Sequence, residues 1–186
     1  MQSILLRGDH PRLLLVIAFF LRNWYSGTPP YAVSPVEGIR RRVGAGVAVS
    51  FMTGNDLDAA EKAAKAADVA VVVIGNHPTC NAGWAKCPLP SDGKEAMDRK
   101  SLTLEQEEIA RRVYAANPRT VLVMNTSFPY TIGWSEEHLP AILEMTHNSQ
   151  EEGTARAAAL FGDYNPGGRL TQTWVASMEQ LPPMMD

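Results

Sequence analysis

This sequence of 186 residues has few cysteines, no long apolar run and no large excess of either charge. Two cysteines, Cys80 and Cys87, are too few for a disulfide framework, and they lack the second pair or the histidines of a structural zinc site. They either remain free thiols, which the sequence favours, or close one small loop. With 17 basic against 20 acidic residues the net charge is −3. Apart from the triplet at residues 40–42 no basic run is present, which argues against nucleic-acid binding.

The longest apolar run, residues 13–21, is shorter than the about 20 residues that a helix needs to cross a bilayer. Two arginines precede it, as in a signal peptide, but Arg-Asn-Trp stands at residues 22–24, where small residues should form the cleavage site. The pattern therefore favours a buried first strand, with a signal peptide as the alternative. The compartment is left open between cytoplasmic and exported.

The length fits one domain, since globular domains typically have about 100–200 residues. A hydrophobic fraction of 45% supplies enough apolar side chains for one core. The chain is too short for a complete β/α barrel, which typically takes about 250 residues. Its 14 glycines and 13 prolines favour short elements joined by loops.

An alternation of strands and helices begins at residue 47. Residues 47–51 are β-branched and aromatic, as in a strand. An alanine-rich helix follows over residues 56–67, with Asn55 or Asp56 as its cap. Residues 68–74 are almost all Val, Ile or Ala, which is typical of a strand buried on both faces. This order predicts a parallel strand-helix-strand unit.

The second half of the chain continues the alternation. Residues 103–116 predict a helix, with Thr103 and Gln106 as a capping box. Further predicted elements are strands at 120–124 and 141–145, a helix at 151–161 ended by Gly162, and an edge strand at 170–174. The whole pattern predicts an α/β sandwich with a mostly parallel central sheet flanked by helices. Strands 68–74 and 120–124 are expected at its centre.

The long loop at residues 76–101 has no periodicity and leaves the end of a buried parallel strand, where α/β proteins place ligands. It carries Asp92, Glu95 and Asp98 among three basic residues, a density that is usually a solvated charge run. A carboxyl group there can act as a general acid when burial against a partner surface raises its pKa.

The histidines are the other titratable candidates. His77 opens the long loop and His147 ends a predicted strand, so both are candidates for a site; the alternative is a hydrogen-bonded loop histidine. The four histidines have no metal-ligand spacing, so we expect neither metal nor cofactor. A serine elbow and a phosphate loop are also missing, which disfavours a serine hydrolase and a flavodoxin-like nucleotide-binding domain.

Seven stretches carry a family resemblance, and they occur in the family's order. They are residues 23–31, 35–39, 68–75, 95–99, 115–118, 140–142 and 160–170. Together they resemble the C-terminal α/β sandwich domain of glycoside hydrolase family 3, the β-glucosidase and β-xylosidase family. The last stretch, LFGDYNPGGRL, is the most specific, because it combines a helix end, a turn and a strand start.

The resemblance implies an enzyme that hydrolyses terminal β-linked sugars with retention. Its nucleophile would be an aspartate of an N-terminal barrel, and its acid/base glutamate would come from this domain. That glutamate commonly precedes an Asp-Arg pair by three and four positions, and Glu95 stands in that relation to Asp98 and Arg99. The resemblance therefore implies Glu95 as the acid/base residue, with Asp98 and Arg99 supporting it. Ala96 departs from the glycine of many relatives.

The resemblance covers residues 23–186 and leaves 1–22 as an atypical segment, which suggests a truncated or mis-started reading frame. The expected partners are a carbohydrate substrate and the missing barrel. The chain alone should be inactive, because retention needs two carboxyl groups about 5–5.5 Å apart. A non-catalytic carbohydrate-binding or interaction module is the alternative, and the sugar stays open. Four residues are expected to mark the barrel interface as an exposed patch: Trp24, Tyr25, Trp84 and Pro90.

Overall fold

The computed structural model describes residues 4, 6, 8–17, 28–77, 102–147 and 150–183. Besides 3₁₀ turns, the elements of these residues are β1 Arg12–Ile17, α1 Pro35–Val43, β2 Ala48–Thr53, α2 Leu57–Lys65, β3 Val69–Gly75, α3 Glu107–Ala116, β4 Thr120–Asn125, α4 Gly133–His138, β5 Ala141–Met145 and α5 Glu152–Phe161. The strands form one sheet in the order β2-β1-β3-β4-β5, and all neighbours are parallel. The predicted α/β sandwich with a parallel central sheet is confirmed.

The early apolar run supplies β1, as the predicted first strand requires. It lies inside the sheet, hydrogen-bonded to both β2 and β3. Leu14 and Val16 contribute to the core on one face, whereas Leu13 and Leu15 contribute to the core on the other. A strand buried on both faces needs such an unbroken apolar sequence. β1 therefore belongs to residues 1–22, the segment that the family resemblance leaves out.

Helices cover both faces of the sheet. The apolar sides of α2 and α3 pack on one face, and those of α1 and α5 pack on the other. Val71 and Val73 of β3 and Val121 of β4 are at most 8% exposed. Their burial confirms the predicted central strands. Among the described residues the structure contains no helix with the length and apolarity to cross a membrane.

The start of α2 follows the sequence prediction closely. Asp56 is the cap, and its Oδ1 accepts a hydrogen bond from the N–H of Ala59 at 2.9 Å. Strand β2 begins at Ala48, one residue later than the predicted strand at 47–51, and extends to Thr53.

The capping box predicted for the next helix is wrong. Helix α3 begins at Glu107, and Gln106 at its cap position makes no side-chain capping bond. The Oε1 atom of Gln106 instead accepts a buried hydrogen bond from the N–H of Gly75 at 3.0 Å. The Gln106 side chain, which the local spacing assigned to the capping box, therefore satisfies a buried backbone N–H at the end of β3.

The edge strand predicted at residues 170–174 is also wrong, because these residues pair with no strand of the described sheet. Leu170 is 55% exposed, so the alternating pattern does not mark a face turned to the core. Trp174 packs edge-on against Tyr130, with ring centroids 6.5 Å apart. The alternation reflects one anchored aromatic side chain on an irregular segment.

Helices α1 and α4 were not predicted. The start of α1 carries a recognisable signal, since Ser34 accepts a hydrogen bond from the N–H of Glu37 and a proline follows it directly. Close packing brings α1 against α5: a Cβ on Gly38 would lie 2.1 Å from the carbonyl oxygen of Gly153. This contact fixes where α5 begins.

Candidate functional site

The carboxyl ends of the parallel strands meet at one edge of the sheet, where α/β proteins place ligands. Helix α1, which follows β1, packs on one face, and α3, which follows β3, packs on the other. The chain therefore leaves β1 towards one face of the sheet and leaves the adjacent strand β3 towards the other. The strand order is that of flavodoxin-like sheets, whose ligand crevice lies at this point. Residues 18–27 and 78–101, which follow in the chain, lie outside the described residues.

Strands β3 and β4 approach each other very closely where they end. A Cβ on Gly75 would lie 1.9 Å from the carbonyl oxygen of Asn125. A side chain is therefore excluded at Gly75, and the glycine that ends the apolar run is a packing requirement as well as a strand stop.

Asn76 is the first residue after β3 and is completely buried. Its Oδ1 accepts a hydrogen bond from the N–H of Ser127 at 2.8 Å, and its N–H donates to the carbonyl oxygen of Asn125 at 3.3 Å. Its own carbonyl oxygen lies 2.8 Å from Nε2 of His147. These three hydrogen bonds tie the chain leaving β3 to the chains leaving β4 and β5.

Both ring nitrogens of His147 have partners, and the partners define its tautomer. The carbonyl oxygen of Asn76 can only accept, so Nε2 carries the proton. Nδ1 is then an acceptor and takes the hydroxyl proton of Ser127, whose Oγ lies 2.6 Å away. Burial lowers the pKa of His147, the bond to Asn76 opposes this, and the charge of Arg156 lowers it further. The ring is therefore neutral at pH 7.

A buried ion pair lies behind this cluster. The residues Glu152 and Arg156 of α5 are 3% and 1% exposed and are hydrogen-bonded to each other. Glu152 Oε1 accepts the hydrogen bond from Arg156 and a second one from Asn125 Nδ2 at 3.0 Å. Arg156 Nε lies 2.8 Å from the sulfur of Met145. Burial raises the pKa of Glu152, while Arg156 acts in the opposite direction. In the described part of the chain, Asn125 Oδ1 and Arg156 Nη1 have no hydrogen-bond partner.

An open groove of about 700 Å³ runs beside β5. Glu144, Arg169, Gln172 and Trp174 contribute to its lining, so it combines an indole with several hydrogen-bonding side chains. Burial raises the pKa of Glu144, and a hydrogen bond from Thr126 Oγ1 at 3.3 Å opposes that rise.

Of the residues singled out from the sequence, the structure brings His77 and His147 to this edge. Burial lowers the pKa of His77, and the positive charge of His147 would lower it further. Several positions lie outside the described residues: Cys80, Cys87, Asp92, Glu95, Asp98 and Arg99, and the expected patch of Trp24, Tyr25, Trp84 and Pro90.

Sequence reasoning missed most of the polar side chains at this edge. Asn76 and Ser127 had a usable signal, since each follows directly or closely on a predicted buried strand. Glu152 and Arg156 had none, because a pair spaced i,i+4 on a helix usually lies at the surface. Over the described ranges, no three His, Cys, Asp or Glu side chains are grouped to hold a metal ion.

The geometry can be compared with known proteins. The model of one family, described as the glycosyl hydrolase family 3 C-terminal domain, matches residues 1–186. A β-xylosidase from Formosa agariphila is 32% identical over 171 residues, covering 87% of this chain and 22% of that protein. A probable β-glucosidase from Arthroderma benhamiae is 34% identical over 166 residues, covering 84% and 19%. The chain thus spans about a fifth of the length of these curated relatives.

Solved structures show the same fold. A β-D-glucoside glucohydrolase from Trichoderma reesei superposes with a TM-score of 0.78 at 22% identity, over 98% of this chain and 29% of that one. A β-glucosidase from Bifidobacterium adolescentis superposes with a TM-score of 0.73 at 25% identity, over 93% and 26%.

Proposed function

The chain belongs to the C-terminal domain family of glycosyl hydrolase family 3, and on that premise we propose that it is the second domain of a retaining β-glycosidase. The proposed reaction is the hydrolysis of terminal β-linked sugars, of β-glucosidase or β-xylosidase type, as in the names of its relatives. Because the chain spans about a fifth of those relatives, the reaction belongs to a larger enzyme in which this domain is one part.

Glu95 is the proposed acid/base residue, with Asp98 and Arg99 supporting it. The observation that carries this assignment is the polar carboxyl edge of the sheet. There Asn76, which precedes the segment 78–101 that contains Glu95, is buried and held by three hydrogen bonds. A catalytic group on a loop needs such a rigid base, since small misplacements are costly.

The missing partner is a barrel that supplies an aspartate nucleophile. Glu95 donates a proton to the glycosidic oxygen while the aspartate attacks the anomeric carbon, and the leaving alcohol departs from a covalent glycosyl-enzyme. The Glu95 carboxylate then takes a proton from water, which displaces the aspartate and releases the sugar. Both carboxyl groups must lie about 5–5.5 Å apart, so the chain alone is inactive.

His77 is proposed to contact the substrate. Burial lowers its pKa, which favours the neutral ring at pH 7. A neutral imidazole offers one donor and one acceptor, and a sugar hydroxyl can pair with either.

The test compares the purified chain with an enzyme in which the same chain is joined to a family barrel. We expect the two-domain enzyme to hydrolyse 4-nitrophenyl β-glucoside or β-xyloside and the chain alone to hydrolyse neither. Turnover by the chain alone would overturn the requirement for a barrel. Inactivity of the folded two-domain enzyme on both substrates would overturn the proposed reaction.

The groove beside β5 favours one alternative, a non-catalytic carbohydrate-binding module. Its lining pairs Trp174 with Gln172 and Glu144, a combination of apolar face and hydrogen-bonding groups that suits a sugar. Titration calorimetry of the purified chain with cello- and xylo-oligosaccharides tests it. Binding that Trp174→Ala abolishes, together with full activity of a Glu95→Ala two-domain enzyme, would favour the module. An absence of binding would exclude it.

A further inference from the structure

We propose that Ser127 and His147 form a separate reactive site, in which a serine nucleophile and a histidine base hydrolyse carboxylic esters. This reaction differs from the cleavage of a glycosidic bond, and the inference does not rest on the proposed function. The groups that carry it are these two side chains and the backbone of Asn76, all within the described part of the chain. They correspond to a nucleophile, its base and a group that orients the base.

The sheet brings the two side chains together. Asn125 of β4 and Met145 of β5 are partners in the strand register. Ser127 and His147 each stand two positions further along, so the chains that leave the two neighbouring strands place them side by side. The nucleophile and its base are 20 positions apart in sequence, and no serine elbow relates them. Such a pair is recognised by its geometry, since the same constellation occurs on unrelated folds.

The hydroxyl of Ser127 is hydrogen-bonded to a nitrogen that can take its proton. Its Oγ lies 2.6 Å from Nδ1 of His147, and a nucleophile and its base are typically about 2.6–3.2 Å apart. The tautomer is the one required, because Nε2 carries the ring proton and Nδ1 keeps its lone pair for the hydroxyl. Burial lowers the pKa of His147, so the ring is neutral at pH 7 and can accept a proton.

Asn76 orients the base, and the nucleophile is accessible. The carbonyl oxygen of the buried Asn76 accepts from Nε2 of His147 at 2.8 Å, which fixes the ring as the third member of a catalytic triad does. A carbonyl is neutral, so it stabilises the protonated ring less than a carboxylate would. Ser127 is exposed, whereas His147 is half-buried. An ester can therefore reach Oγ without entering the core.

The reaction balances with the ester and one water molecule. Ser127 Oγ attacks the carbonyl carbon while its proton moves to Nδ1 of His147, and the bond to the alcohol breaks as the alcohol takes that proton. Water then attacks the acyl-serine with the same proton transfers, which releases the acid and restores the serine. The N–H of Ser127 donates to Asn76 Oδ1 and so does not stabilise the oxyanion, as the nucleophile's N–H does in a serine protease. We therefore expect esters whose alcohol is a good leaving group, since they depend least on that stabilisation.

The experiment uses the purified chain of 186 residues, a fluorophosphonate and 4-nitrophenyl acetate. The fluorophosphonate bonds to a serine oxygen as fluoride leaves, and peptide mass spectrometry locates the adduct. We expect Ser127 to be labelled at least about 10²-fold faster than Ser50, an exposed serine whose hydroxyl donates to the carbonyl oxygen of Leu13. His147→Gln keeps hydrogen-bonding groups but no base, and it should slow the labelling by about 10²-fold. Ser50→Ala is the matched control and should leave the labelling of Ser127 unchanged. The chain should release more than one equivalent of 4-nitrophenol, and Ser127→Ala should lose this turnover.

Equal labelling of Ser127 and Ser50 would overturn the proposal. Unchanged labelling of Ser127 in folded His147→Gln would also overturn it, because the histidine would then have no role as a base. Release of 4-nitrophenol that stops at one equivalent would exclude ester hydrolysis. If circular dichroism shows that His147→Gln does not fold, the comparison of Ser127 with Ser50 in the unmodified chain decides, because it needs no variant. These measurements use no glycoside, so their failure is separate from a failure of the proposed function.

Discussion

Replacing Arg156 with methionine should destabilise the fold strongly, because it leaves the carboxylate of Glu152 buried without its cation. The side chains of this pair are 1% and 2% exposed. Breaking a buried ion pair by removing one partner costs about 3–5 kcal/mol, since the remaining charge keeps its desolvation penalty. Arg112→Met is the matched control. Arg112 pairs with Asp58 and Glu61 at the surface, its own side chain is 34% exposed, and exposed pairs contribute little.

The loss in Arg156→Met should also depend on pH. Burial already raises the pKa of Glu152, and Arg156 opposes that rise, so the variant raises it further. The folded state then binds the proton more tightly than the unfolded state, whose glutamate titrates at about 4.3. The destabilisation is therefore largest at neutral pH. It shrinks as the pH falls through the folded pKa towards the unfolded value.

Urea unfolding followed by far-UV circular dichroism at pH 7 and pH 5 measures both effects. The double variant Glu152→Gln/Arg156→Met should be more stable than Arg156→Met alone at pH 7, because no buried charge remains. A loss of unfolding free energy in Arg156→Met no larger than in Arg112→Met would contradict the role of the buried pair, and so would a loss that grows as the pH falls.

Two further substitutions test the packing and capping of the sheet and its helices. Gly75→Ala brings a Cβ to 1.9 Å from the Asn125 carbonyl, so it should cost more than the ~0.5–3 kcal/mol of a common point mutation. Gly133→Ala should not exceed that range, because a Cβ there meets no atom within 4 Å. Thermal unfolding compares the stabilities of the two variants. Asp56→Ala removes the cap of α2 and should cost about 1 kcal/mol in urea unfolding. A cost equal to that of Asp58→Ala, an exposed position in the first turn of the same helix, would count against the cap.

The central strands could be predicted because a short run of neighbouring residues carries their whole apolar pattern. Residues 69–75 are apolar at every position, and a strand buried on both faces requires that pattern. The cap of α2 was equally readable, since Asp56 bonds three residues ahead. The irregular course of residues 170–174 could not be predicted, because an alternating pattern does not reveal whether a partner strand exists. Only tertiary placement shows that Trp174 packs on Tyr130 outside the sheet.

The polar edge depends on contacts between residues distant in sequence. Gln106 and Gly75 are 31 positions apart, and His147 and Asn76 are 71 apart. No spacing rule relates such residues, so the sequence indicated His77 and His147 only by their places at predicted strand ends. Glu95 rests on a family resemblance, and its segment lies outside the described residues.

The kinetics of Glu95→Ala in the two-domain enzyme test the central claim most directly. We expect kcat on a poor leaving group to fall by roughly 10²–10⁴-fold, the range for losing general acid/base catalysis. The first step with a good leaving group should be spared, and azide should restore turnover by replacing the base-assisted water. Asp92→Ala, three positions before Glu95 in sequence, should keep the wild-type rates. Full activity of Glu95→Ala on the poor leaving group would contradict the claim and make Asp92 the next candidate.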